Sequence, residues 1–201
     1  MNVAGFRTRF EVPVIAVLML TSFGASRALA QDDHSHGMTP AKHEQTPEQN
    51  RQAGALVQAV RDATRQFKDG PPENYVLTFG CVSGGDFGAM GMHFLNGSLL
   101  GDGDVKVETP EILLYEPLPN GRLRLTGADY LVDQAEWDSN PQHQGPPELM
   151  GQLFHLFDSP NRFGLKAFYT LHVWAWKDNP NGTFTNWNPD VSCDAFPGEP
   201  K

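Results

Sequence analysis

Residues 110–125 read PEILLYEPLPNGRLRL. Two apolar runs, 112–115 and 123–125, flank Pro119-Asn120-Gly121, and Asn-Gly between hydrophobic segments is a hairpin signal. Arg122 and Arg124 alternate with Leu123 and Leu125. Successive strand residues point to opposite faces, so one face of this hairpin is apolar and the other meets water. Residues 128–132 continue the second strand past Gly127, and a glycine there marks a bulge.

Outward from the hairpin, the same period recurs. Residues 75–79 read as a strand upstream. Downstream, 138–148 (DSNPQHQGPPE) form a polar loop, 153–157 a short apolar strand and 167–176 the longest strand candidate. Asp178-Asn179-Pro180-Asn181-Gly182 turns the chain, and 183–187 return. Before all of these the period is helical. Thr46 fits an N-cap, Pro47 the first helical position, and Gln49 completes a capping box. Ala53, Leu56, Val57, Val60, Ala63, Thr64 and Phe67 then follow the i, i+3, i+4, i+7 spacing of one buried stripe. Gly70 and Pro71-Pro72 end it. One helix followed by hairpin-linked strands predicts an α+β fold: an N-terminal amphipathic helix, then an antiparallel sheet able to curl into a barrel. Residues 46–201 are expected to be a single domain.

The chain has 201 residues, 39% of them hydrophobic, and a formal net charge of −9. It lacks the clustered Lys and Arg that phosphate backbones require, so nucleic acid is not expected as a partner. Residues 1–30 have the layout of a secretory signal peptide: Arg7 and Arg9, an apolar run over 12–20, then Ala28-Leu29-Ala30 as a cleavage site. The run is too short for a permanent membrane anchor. The expected location is therefore periplasmic or secreted. Residues 31–45 (QDDHSHGMTPAKHEQ) read as a flexible tail whose His34, His36 and His43 could bind copper or zinc loosely. In an oxidising compartment Cys81 and Cys193 are expected to form a disulfide, because neither sits in a C-x-x-C motif.

Chemistry is sought among four further histidines. His143 falls in the polar loop. His93, His155 and His172 fall in apolar, strand-like contexts. By strand parity His155 shares a face with Leu153 and Phe157, and His172 with Trp174 and Trp176. The hairpin offers a carboxylate. With an even loop, Glu116 shares the face of Leu114, Leu123 and Leu125. An odd loop gives that place to Glu111, and Asp129 is a third choice. A buried carboxylate needs a partner, and imidazoles with a carboxylate suit a divalent transition metal: Zn, Cu or Fe. The expected ligands are thus His93, His155 and His172, with Glu116 or Glu111 as fourth ligand or catalytic base. The opposing reading makes each histidine a buried, hydrogen-bonded core residue. Trp174, Trp176 and Tyr169 could line a pocket for a small molecule, or serve only as core. Met90 and Met92 beside His93 are soft ligands or packing.

Several segments carry a resemblance: Gly88-Ala89-Met90-Gly91-Met92-His93, PEILLYEP over 110–117, GQLFH over 151–155 and LHVWAWKDNPNGTFTNWNPDVSC over 171–193. They resemble a family of exported bacterial proteins with no assigned activity, which implies an exported single domain. A looser resemblance is to cupins, small β-barrels that bind metal through histidines and a glutamate. Where that pattern has His-x-His near a Glu, this chain has His93 alone, with Glu111 and Glu116 far downstream.

Three functions follow as expectations. One is an exported metal-binding protein, with metalloenzyme chemistry on a small molecule as its extension. The second is a non-catalytic small-ligand-binding protein with structural histidines. The third is an extracytoplasmic copper or zinc buffer that uses the tail.

Overall fold

The computed structural model describes residues 45–201. The signal peptide expected over 1–30 and all of the expected tail except Gln45 lie outside the described residues. Helix α1 spans Pro47–Thr64. Thr46 Oγ1 accepts from the Gln49 backbone N–H at 3.2 Å, and Gln49 Oε1 accepts from the Thr46 N–H at 2.9 Å. Those two bonds satisfy orphan donors of the first turn. Leu56, Val60 and Thr64 form the buried stripe. Full burial of a Leu or Val side chain stabilises by about 1.5–3 kcal/mol.

The strands are β1 (Val76–Ser83), β2 (Ala89–Leu95), β3 (Ile112–Pro117), β4 (Leu123–Asp133), β5 (Glu148–Leu149), β6 (Gln152–Leu153), β7 (His155–Phe157) and β8 (Phe168–Val173). A short helix, α2 (Gln134–Ser139), follows β4 and is capped by the Asp133 carboxylate. Six strands form one antiparallel sheet in the order β1-β2-β3-β4-β8-β7, and β5 pairs with β6.

Side-chain alternation divides the sheet into two faces. On one face Ala128, Tyr130, Val132, Tyr169, Leu171 and Val173 pack under Leu56 and Val60 of α1. The other face carries Phe79, Val82, Met90, Ile112, Leu114, Leu131 and Phe168, covered by Phe163, Leu165 and Trp187.

Two features bend the sheet toward this second face. Leu114 pairs with Gly127 but Tyr115 with Leu125, so Thr126 is an extra residue in β4. Its hydroxyl donates to Leu114 O at 3.1 Å. Such a bulge increases local twist. At Gly127 an added Cβ would lie 2.0 Å from Val173 O, so no other residue fits this close approach. The curl shows in side-chain distances. His93 on β2 and His172 on β8 stand three strand spacings apart, about 14 Å in a flat sheet. Their ring centroids are 5.8 Å apart. Near the sheet's two edges, Phe79 of β1 comes within 5.5 Å of Phe163 in the β7–β8 connection. The result is an antiparallel sheet curled into a trough, open between its edge strands.

The C-terminal segment is tied back to β1 and β2. Cys81 and Cys193 form a disulfide across 112 residues. Asn188 bridges to Ala89, and Lys201 exchanges backbone hydrogen bonds with Cys81 and Ser83.

Two strand expectations need correction. Residues 183–187 form no regular strand among the described residues. The Asn179 side chain instead donates to Thr185 Oγ1 and Trp187 O, replacing ladder bonds. The run 153–157 is broken at Phe154, whose N–H donates to Pro147 O, and β6 and β7 flank the break.

Candidate metal centre

On the concave face, His93 from β2, Asp129 from β4 and His172 from β8 each place one potential ligand atom within 4.8 Å of the others. All three residues are buried. Their meeting follows from register. Asp129 and His172 are direct cross-strand partners, with Nδ1 of His172 3.3 Å from Asp129 Oδ1. The curl brings His93 in from two strands beyond.

Each side chain is oriented differently. His93 Nδ1 lies 2.9 Å from Gly91 O. A carbonyl only accepts, so Nδ1 carries the hydrogen and neutral His93 keeps its lone pair on Nε2. The Thr170 hydroxyl donates a short hydrogen bond to Asp129 Oδ1. His172 has no hydrogen-bond partner at either ring nitrogen, although both are buried. An unpaired buried polar atom costs about 1–3 kcal/mol, and two on one ring call for an explanation such as a bound ion.

Burial dominates the electrostatics. It lowers the His172 pKa to about 3, with His155 adding to the drop. It lowers that of His93 to about 4, with His172 adding to the drop. It raises Asp129 to about 6, against the opposing pull of His93 and Thr170. At neutral pH the group therefore offers two neutral imidazoles and a carboxylate, the protonation states that coordinate metals.

The space these side chains face measures about 20 Å³ and is otherwise lined by Thr170 and by apolar groups, among them Phe79, Met90, Phe157, Phe163 and Phe168. It has room for one water-sized guest. Organic ligands need cavities of roughly 300 Å³ or more.

The other expected site residues lie elsewhere. Glu116 is opposite Arg124 and forms ion pairs with Arg124 and with Lys177 at 3.1 Å, while Ser192 N–H donates to its other oxygen at 3.4 Å. Glu111 is buried immediately before β3 and accepts from the Leu131 N–H at 3.1 Å. Burial raises its pKa to about 8. The carboxylate that meets the histidines is Asp129, in place of Glu111 or Glu116. The extra residue in β4 breaks the parity that a regular hairpin would have transmitted from loop to strand.

His155 lies outside the three-residue group, exposed on the edge strand β7 opposite Thr170. Trp174, Trp176 and Tyr169 do not line a common pocket. Trp174 is buried, with its indole N–H on Thr185 O at 2.6 Å. Trp176 donates to Thr64 Oγ1 at 2.9 Å and lies under the Lys68 ammonium. Tyr169 belongs to the α1 face, its hydroxyl 3.2 Å from Asp138. Met90 lines the cavity, whereas Met92 packs in a core on the opposite side of the sheet. His143 stacks on Trp137. The phenylalanines that do wall the cavity were marked in sequence only by parity, Phe168 and Thr170 sharing a face with His172.

Comparison with known proteins finds no matching family model, curated protein or solved structure.

Proposed function

We propose that this chain is an extracytoplasmic metal-binding protein that holds one divalent transition ion, Zn, Cu or Fe, through His93, Asp129 and His172. The observation that carries this reading is the convergence of three ligand atoms around a buried imidazole with no other partner. Ligand atoms at about 2.0–2.2 Å from one ion sit roughly 3–3.5 Å apart, so small rotamer adjustments suffice. The hydrogen bond from His93 Nδ1 to Gly91 O and that from Thr170 to Asp129 are the outer contacts that orient ligands in metal sites. Two histidines and one carboxylate leave coordination positions free, a set used by non-haem iron and by zinc.

The cavity's size favours an ion over an organic guest, so a substrate would have to be no larger than a few atoms. The disulfide supports an oxidising compartment, periplasmic or secreted. Among the described residues no helix is long and apolar enough to cross a membrane. The resemblance to exported bacterial proteins points the same way.

The test is elemental analysis of protein purified without a histidine tag, followed by zinc titration after chelation. One ion per chain is expected. His172→Ala should abolish stoichiometric binding, and His143→Ala should not. Deleting residues 31–45 should leave the ion in place. Full occupancy in His172→Ala would overturn the reading, and loss on deleting the tail would favour the buffer instead.

A further inference from the structure

Resting on that reading, we propose that His155 is a fourth metal ligand, recruited from the surface when an ion enters between His93, Asp129 and His172. The residue lies on the correct face. In the β7–β8 ladder His155 pairs with Thr170 and Phe157 with Phe168. Phe157, Phe168, Thr170 and His172 all line the small cavity, and directly paired residues share a face. His155 is therefore the diagonal neighbour of His172. Diagonal positions stand about 7–8 Å apart, still within reach of aromatic and long side chains.

The ring has space to move. It borders a recess of about 270 Å³ shared with Phe87, Asn181, Thr185, Asn186 and Trp187. Trp187, which walls this recess, also packs against the core of the concave face. β7 is a three-residue edge strand, paired on one side only. Turning an exposed side chain inward there breaks no core packing. The chemistry supplies the pull. Zinc favours four ligands, and three protein groups leave one position. An imidazole on the same face, one diagonal away, is the nearest donor of the right kind.

The experiment compares the full chain with His155→Ala and His155→Gln after loading with Co(II) and with Cu(II). The exposed position keeps folding intact, which thermal melts of the metal-free proteins check. Wild type should bind one ion, with intense four-coordinate Co(II) visible bands and a Cu(II) spin-resonance signal split by three imidazole nitrogens. Both variants should still bind one ion, with weakened Co(II) bands, two coupled nitrogens and an affinity lower by at least about a hundredfold. That exceeds most of the roughly 10–100-fold loss that follows removal of an outer contact. Unchanged affinity, bands and nitrogen count would overturn the recruitment of His155 and leave the three-residue site standing. Absence of binding in wild type would overturn both.

Discussion

Replacing Asp129 by Asn should stabilise the metal-free protein while removing its affinity for metal. Burial raises the Asp129 pKa from 3.8 to about 6. Between those values the folded state holds a proton that the unfolded state has released, so stability falls as pH rises through the window. Above pH 6 the full difference is present, about 3 kcal/mol at about 1.4 kcal/mol per unit. Asparagine carries no charge to desolvate. Its amide oxygen, placed where Oδ1 stands, can keep the Thr170 hydrogen bond. In a chain of this size about 3 kcal/mol corresponds to a melting shift of roughly 6–12 °C. The assay is thermal and urea unfolding in chelator at a series of pH values. Asp129→Asn should exceed wild type at pH 8, and the gap should close as pH falls below 4. A variant that melts at or below wild type at pH 8 would refute the argument. So would a gap that does not depend on pH, because the gain would then have another source.

Two further perturbations test the frame around the site. Glu111 is almost fully buried with a pKa raised from 4.5 to about 8, so it too lowers stability as pH rises across that interval, on the order of 5 kcal/mol; Glu111→Gln should flatten this pH dependence, as followed by urea midpoints from pH 5 to 8.5. Replacing Cys81 and Cys193 together by Ala opens a closure of 112 residues, and chain entropy gives a loss of about 5 kcal/mol, read as a fall in urea midpoint relative to the oxidised protein.

Local chemistry made much of the architecture legible. The Asn120-Gly121 turn lies between β3 and β4, and the Thr46 box caps α1. The two cysteines, read as a disulfide over a free thiol because neither sits in a C-x-x-C motif, do pair. Alternation along β8 put Phe168, Thr170 and His172 on one face, and the glycine at 127 announced an irregularity in β4. What could not be read was the consequence of that irregularity. One additional residue, Thr126, decides which acidic side chain faces the histidines, and its pairing depends on β3 and β8 together. The placement of the tryptophans was illegible for a similar reason. Parity holds only while the chain remains a strand, and β8 ends at Val173, just before Trp174 and Trp176. The proximity of His93 to His172 depends on curvature, a property of the whole sheet rather than of any segment.

The tether on His93 has an experimental consequence. Its acceptor is the main-chain oxygen of Gly91, a residue with φ of 90° whose added Cβ would fall 2.6 Å from Tyr115 O. No exchange of side chains can delete that oxygen, and substituting the glycine would distort the backbone rather than excise the contact. Alanine scanning is therefore blind to the atom that fixes which nitrogen of His93 is free. Only a backbone-directed method, such as weakening the carbonyl by installing an ester linkage after Gly91, would reveal how much the centre owes to it.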